Sequence, residues 1–295
     1  MRASMQMLPD GRRLHLQNGP IDLIVEANGG PREIERAYRA AQVRFVTILD
    51  ELCAELAMLR RPVGVKIPPP HGLVAARMLA AVQPYCSRCF ITPMAAVAGA
   101  VAEAVLAAMT GATILDRAYV NNGGDIALYL ADHHKFTIGM VDRPGQPSLF
   151  GSLEISSQLP VRGIATSGWR GRSFSLGIAD AVTVLAAKAA DADAAATILA
   201  NAVDLPGHPA ITRVPANEIA PDSDLRDFLV TRGVGSLNIS EIEQALNAGA
   251  TVAKQLRSSG LIYAAAFHLQ GITRIVSPPP VTVAIDFPQR SLLHA

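Results

Sequence analysis

Three short segments carry residue types that can do chemistry. In the run Ala190-Asp191-Ala192-Asp193-Ala194-Ala195-Ala196-Thr197, Asp193 and Thr197 are spaced i and i+4. On a helix this spacing puts a carboxylate and a hydroxyl on one face. Such a pair suits a hard cation such as Mg2+, which takes oxygen ligands and keeps several waters. Asp191, two positions earlier, projects about 200° away around the same helix. An acidic first turn that complements the helix dipole accounts for the same residues without any metal.

The second segment is Val120-Asn121-Asn122-Gly123-Gly124-Asp125. Paired glycines permit positive φ and let backbone approach a ligand closely. A tight turn leading into a strand is the structural alternative. The third is Ala165-Thr166-Ser167-Gly168-Trp169. Adjacent hydroxyls and a glycine after a strand can present N–H and O–H donors to phosphate. Trp169, the only tryptophan, can stack on an aromatic ligand. A β-turn with a packed indole explains it equally. Asp180 is a further carboxylate downstream. It is a candidate general base or second metal ligand, or else a solvated aspartate at a helix start.

The cysteines and histidines offer less. Cys86 and Cys89 form a CxxC, but no second Cys or His pair follows at zinc spacing, and Cys53 stands alone. Reduced, unremarkable thiols are expected, with Cys53 on the packed face of its helix. A thiol redox role for Cys86 and Cys89 needs a depressed pKa. His133 and His134 are adjacent, so on a strand they point to opposite faces. An exposed hairpin turn is the expected setting.

These segments need a scaffold, and composition allows one. Of 295 residues, 50% are apolar and 17% charged, so a sizeable core is expected and wholesale disorder is excluded. The net charge of +1 leaves no broad electrostatic footprint for nucleic acid or an anionic membrane. The N-terminus has no apolar core of a secretory signal, so a cytoplasmic location is expected. The apolar stretch 93–112 is built mostly of alanine and contains Glu103. It reads as a core helix and not as a bilayer span.

Periodicity supplies the elements. A hairpin is expected over 12–27, turning at Asn18-Gly19-Pro20. One long helix should follow Pro31, with Ile34, Tyr38, Ala41, Phe45, Leu49, Leu52, Leu56 and Leu59 on its apolar face. Further helices are predicted near 72–83, 93–109 and 189–202. Another should start at Asn238, with Glu241 completing a capping box, and end at Gly260. Strands are predicted at 117–121, 125–131, 135–141, 149–157, 161–166 and 181–186, and late in 261–270. Helices and strands mix without regular βα alternation, which predicts an α+β fold.

Taken together and in this order, the three segments resemble the ApbE family, the FAD:protein FMN transferases. The family's small-residue helix leads to a Gly-Gly-Asp turn, here 94–109 followed by Gly123-Gly124-Asp125. Its Ala-Thr-Ser-Gly matches Ala165-Thr166-Ser167-Gly168. Its Ala-Asp-Ala-Leu-Ala-Thr helix matches 192–197 with one Leu→Ala. The resemblance implies an ApbE-like α+β fold over 1–295 as a single domain, or as two intertwined subdomains, possessing a site for Mg2+ and for FAD or a related flavin. It implies Mg2+ on Asp193 and Thr197, with a backbone carbonyl donated by Val97. Thr166, Ser167 and Gly168 would cradle phosphate. Asn122, Gly123, Gly124 and Asp125, with Trp169, would border the ring system. Mg2+-assisted FMN transfer or pyrophosphate cleavage on a small nucleotide-like ligand is the implied activity. The family's His-Ile-Ile-Asp-Pro-Arg-Thr-Gly type segment is absent, and only 170–181 stand in its place. The alternative is therefore a flavin- or pterin-binding protein without the transferase chemistry. Whether the chain forms a homo-oligomer is left open.

Overall fold

The structure, a computed structural model, describes residues 3–64, 68–141 and 149–278. The chain opens with strands β1 (Ser4–Met7), β2 (Leu14–Asn18) and β3 (Ile21–Asn28). Helices α1 (Pro31–Ala54), α2 (Leu56–Leu59), α3 (Leu73–Val82) and α4 (Val97–Ala112) follow. Strands β4 (Arg117–Asn122), β5 (Asp125–Leu130), β6 (Lys135–Val141), β7 (Leu149–Ser156), β8 (Gly163–Ser167) and β9 (Ala181–Ala186) come next. Then come α5 (Ala189–Ala202), β10 (Ile211–Pro215), α6 (Ala216–Ile219) and β11 (Leu229–Val234). The last described elements are α7 (Ile239–Ser258), β12 (Ala264–Leu269) and β13 (Ile272–Val276).

Nine strands form one antiparallel sheet in the order β1-β2-β3-β4-β5-β8-β9-β12-β13. The α+β class expected from the sequence is the one observed. Strand β3 alternates strictly, burying Ile21, Leu23, Val25 and Ala27 on one face. Against that face lies a helix layer: α1 over β2 and β3, α4 over β4 and β5, α5 over β8 and β9, α7 over β12 and β13. On the opposite face the β6–β7 hairpin, a separate two-stranded sheet, helps close a smaller core. That core holds Leu128, Leu130, Ile155, Ile164 and Leu185. Strands β9 and β12 are consequently buried at every position.

Helix α4 explains the membrane-like stretch. Pro93–Ala112 is long and apolar enough to cross a bilayer by length and composition. It instead packs against α1, α3, α5, β4 and β5 at the centre of the fold. Apolar residues on all sides are what such a position requires. The Asn238–Glu241 capping box is present, with both reciprocal bonds made.

Three expectations need correction. The long first helix breaks at Glu55, so α1 and α2 are separate. Cys53 is exposed and not packed. The buried stripe of α1 runs Ala37, Ala41, Phe45, Ile48, Leu52, and Cys53 lies about 100° beyond Leu52, turned outward. The turn at Asp132–Lys135 does not close a hairpin. It carries the chain from β5 of the large sheet to β6, which pairs only with β7. Strand β1, the β10–β11 ribbon and β13 had no expectation attached.

Candidate functional site

Two glycines bring helix α5 against its neighbours. A Cβ on Gly163 would stand 2.1 Å from the carbonyl carbon of Lys188, and one on Gly99 would stand 2.3 Å from the carbonyl oxygen of Ala189. The first turn of α5 is thus wedged between β8 and α4 with no side-chain spacer. Gly99→Ala should lower stability by about 2–3 kcal/mol, because the added methyl meets backbone that cannot rotate away. Thermal melting of the variant checks this.

That close approach sets Asp193 at the start of α4. Its Oδ2 accepts a hydrogen bond from the Gly99 N–H at 3.0 Å. Burial raises the Asp193 carboxyl well above its ordinary value. The neighbouring Asp125 carboxylate adds to the rise, while the Gly99 and Ala98 N–H groups oppose it. Burial likewise pushes Asp125 up to about 7, opposed by the Thr166 N–H and the Arg172 guanidinium. Two carboxylates from distant parts of the chain therefore come together in one half-buried place, where Asp125 raises Asp193.

Asp125 reaches it from a tight hairpin. Asn122 and Asp125 are paired across the β4–β5 ladder, and the loop between them is Gly123-Gly124. Both glycines have positive φ, 66° and 116°, as two-residue hairpin loops demand. Asn121 Oδ1 accepts from the Gly124 N–H at 2.8 Å, and Asn122 Nδ2 donates to the Ala98 carbonyl at 3.2 Å. The second bond ties the hairpin to the start of α4. Pairing between β5 and β8 covers only Ile126 and Ala127. The Thr166 N–H is then free to bond Asp125 Oδ1 at 3.2 Å.

Of the residues singled out from sequence, Asn122, Gly123, Gly124, Asp125, Thr166 and Asp193 gather here. Thr197 lies half-buried one turn beyond Asp193. Some donors are already committed. The Thr166 N–H serves Asp125, and its hydroxyl pairs with that of Thr183 at 2.9 Å. Gly168 packs so that a Cβ would fall 2.5 Å from the Asp180 carbonyl oxygen. At α4 it is N–H groups that face Asp193. The Val97 carbonyl, as the first in the helix, runs along the helical ladder.

Asp180 and Trp169 form a second cluster. Asp180 is 6% exposed. Its Oδ1 accepts from Arg170 Nε at 2.6 Å and Trp169 Nε1 at 3.2 Å, and its Oδ2 from the Gln270 N–H at 2.7 Å. Arg170 covers the indole, 4.4 Å from its centroid. Among the described residues no hydrogen bond or ion pair links Asp180 to Asp125 or Asp193. Asp180 pins the 168–172 loop to the β12–β13 turn.

A cavity of about 630 Å3 opens on the Asp191 side of α5. Arg77, Glu103, Leu106, Arg162, Lys188 and Asp191 line it, and neither Asp125 nor Asp193 does. Glu103 accepts the Ala190 N–H there at 2.8 Å. Burial raises both Glu103 and Asp191.

As for metals, among the described residues no three His, Cys, Asp or Glu side chains cluster to hold one. Two carboxylates and a hydroxyl remain, an all-oxygen set that fits Mg2+ with waters and does not fit zinc. Burial raises Cys89, the opposite of an activated thiolate. Arg172 and the meeting of Asp125 with Asp193 were not foreseen. Only the raw presence of two Asp-bearing motifs pointed toward the latter.

The fold resembles the apo crystal structure of Pseudomonas stutzeri flavinyl transferase ApbE, with a TM-score of 0.46 and 12% identity, over 93% of this chain and 95% of that one. Archaeal relatives are UPF0280 proteins. That of Methanothermobacter thermautotrophicus is 39% identical over 122 residues, covering 39% of this chain and 44% of the relative. That of Methanothrix thermoacetophila is 41% identical over 114 residues, covering 38% and 46%. The matches thus span about half the length of these curated relatives. Residues 5–275 match AbpE bacteria, and the chain belongs to this ApbE-like family.

Proposed function

We propose that the Asp125–Asp193 site takes Mg2+ together with a phosphate-bearing flavin or a related nucleotide. The observation that carries this reading is the meeting of two half-buried carboxylates at one helix start, where the Gly99 N–H holds Asp193, Asn122 ties the Asp125 hairpin to the Ala98 carbonyl, and Asp125 raises Asp193. Such a pair is neutralised by a shared proton or by a cation, and an all-oxygen set suits a hard cation. Family membership supports a flavin-related role. Asp193, Asp125 and Thr197 would hold the metal. When bound, Mg2+ supplies charge neutralisation of phosphate oxygens and of a leaving group in FMN transfer or pyrophosphate cleavage.

The remaining work falls to the chain. Asn121 and Asn122 fix the glycine turn, and Thr166 orients Asp125 through its N–H. Ser167 would offer its hydroxyl to phosphate, and Asp180 positions the loop that carries Arg172. The partner in this reading is a small nucleotide-like molecule, in the cytoplasm, with no part for nucleic acid or membrane.

A second reading, binding of a flavin or pterin without turnover, is favoured by one observation: Asp180, the carboxylate of the 168–180 segment, is engaged by three donors that tie its loop together. Titration calorimetry with MgCl2, then with FAD and FMN, tests the site itself. Incubation with FAD and Mg2+, followed by chromatography for released AMP, separates the two readings. Absence of Mg2+-dependent flavin binding overturns both.

A further inference from the structure

We infer that Arg172 is the residue through which this site recognises a phosphate or pyrophosphate group, an inference that rests on the Mg2+ and nucleotide reading above. Its guanidinium lies directly on the glycine turn. A Cβ on Gly123 would fall 2.1 Å from a terminal nitrogen of Arg172 and 3.1 Å from its central carbon. Gly123 is needed for its φ of 66°, and its lack of a side chain leaves the guanidinium room to lie on the turn.

Arg172 is uncommitted, unlike Arg170, Arg162 and Arg213. Arg170 is spent on Asp180 and Trp169, Arg162 on the carbonyls of Ser157, Leu159 and Val161, and Arg213 on Asp204. Among the described residues Arg172 makes no ion pair within 4.0 Å. Its charge is felt at Asp125 all the same. The side chain is exposed on the bend Gly171-Arg172-Ser173, so it can turn toward an arriving ligand without unpacking any core.

The chemistry of the site requires such a group. A phosphate brought beside Asp125 and Asp193 meets two carboxylates of its own sign. The nearby donors are largely spent: Asn122 Nδ2 on the Ala98 carbonyl, the Thr166 N–H on Asp125, the Gly99 N–H on Asp193. An arginine fork offers two parallel N–H donors and a permanent charge, the geometry that phosphate oxygens accept. Lying over the turn, it also sets which end of a nucleotide can enter: the phosphate must face Gly123.

The test is titration calorimetry on the full chain with Mg2+ present, using inorganic pyrophosphate, FMN and riboflavin as probes. Arg172→Gln should weaken pyrophosphate and FMN by at least about tenfold, the scale of losing a charge-assisted fork. Riboflavin, which has no phosphate, should bind as before, and the melting temperature should stay put. Arg172→Lys should recover part of the loss. A loss for both pyrophosphate and FMN places recognition on the phosphate group itself. Equal pyrophosphate affinity in Arg172→Gln and the parent overturns the inference alone, as does an equal loss of riboflavin. A parent protein that binds neither Mg2+ nor pyrophosphate overturns the inference and the reading beneath it.

Discussion

Replacing Asp193 with Asn is expected to abolish Mg2+ binding and, in the same protein, to raise the melting temperature measured without metal. The two effects have one cause. In the metal-free protein the Asp193 carboxyl is held above its ordinary value by burial and by Asp125. A raised carboxyl pKa means that the ionised form is a burden on the fold. The amide keeps the oxygen that accepts the Gly99 N–H. Its NH2 can donate toward Asp125, turning a repulsion into a hydrogen bond. The gain should be roughly 2–5 °C. The metal, by contrast, loses a charged ligand, and affinity should fall by more than about a hundredfold. Thr197→Val should lose less, since it removes one neutral oxygen. Asp191→Asn should leave Mg2+ binding unchanged, because Asp191 faces the cavity with Arg77 and Lys188. Calorimetry and differential scanning measure both quantities. If Asp193→Asn destabilises the metal-free protein and Mg2+ never binds the parent, Asp193 is a helix-packing residue and nothing more.

How far the sequence carries is visible in these residues. The spacing of Asp193 and Thr197 put them on one helical face, and helix α5 runs over the predicted residues. The Gly-Gly pair announced its hairpin, because positive φ at two successive positions leaves few alternatives. Local signals of that kind are legible from one segment at a time. The join between Asp125 and Asp193 is not, because it depends on how closely α5 packs on α4, which Gly99 and Gly163 decide. Two glycines in a sequence do not say which backbone they admit. The bonds that Asp180 makes were hidden for the same reason. Its donors come from Arg170, Trp169 and Gln270, and the last lies on a turn between strands that pair only in the folded sheet. The β10–β11 ribbon escaped notice because its strands are short and only partly buried, so no clean alternation marks them.

Stability of the metal-free protein should fall as pH rises from about 4 to 7, and Mg2+ should cancel or reverse that fall. The sign follows from proton counting. Asp125 has an ordinary value of 3.8 and is pushed up to about 7 in the folded chain. Between those values the folded state binds more protons than the unfolded state, so stability declines with rising pH. Below the lower value and above the upper one the contribution is flat. Asp193 shifts in the same direction and extends the same trend. The melting temperature in chelator should be lower at pH 8 than at pH 5.5 by roughly 5 °C. With Mg2+ present the carboxylates are needed ionised, so binding releases protons and is strongest at the alkaline end. Stabilisation by the metal therefore grows with pH and offsets the decline. Asp125→Asn should flatten the chelator curve and weaken the metal effect, while Asp180→Asn, which disturbs the separate cluster with Arg170 and Trp169, should leave the Mg2+ effect as it was. A chelator curve with no slope across this range would mean that the two carboxylates do not share a desolvated site, and the case for a cation between them would go with it.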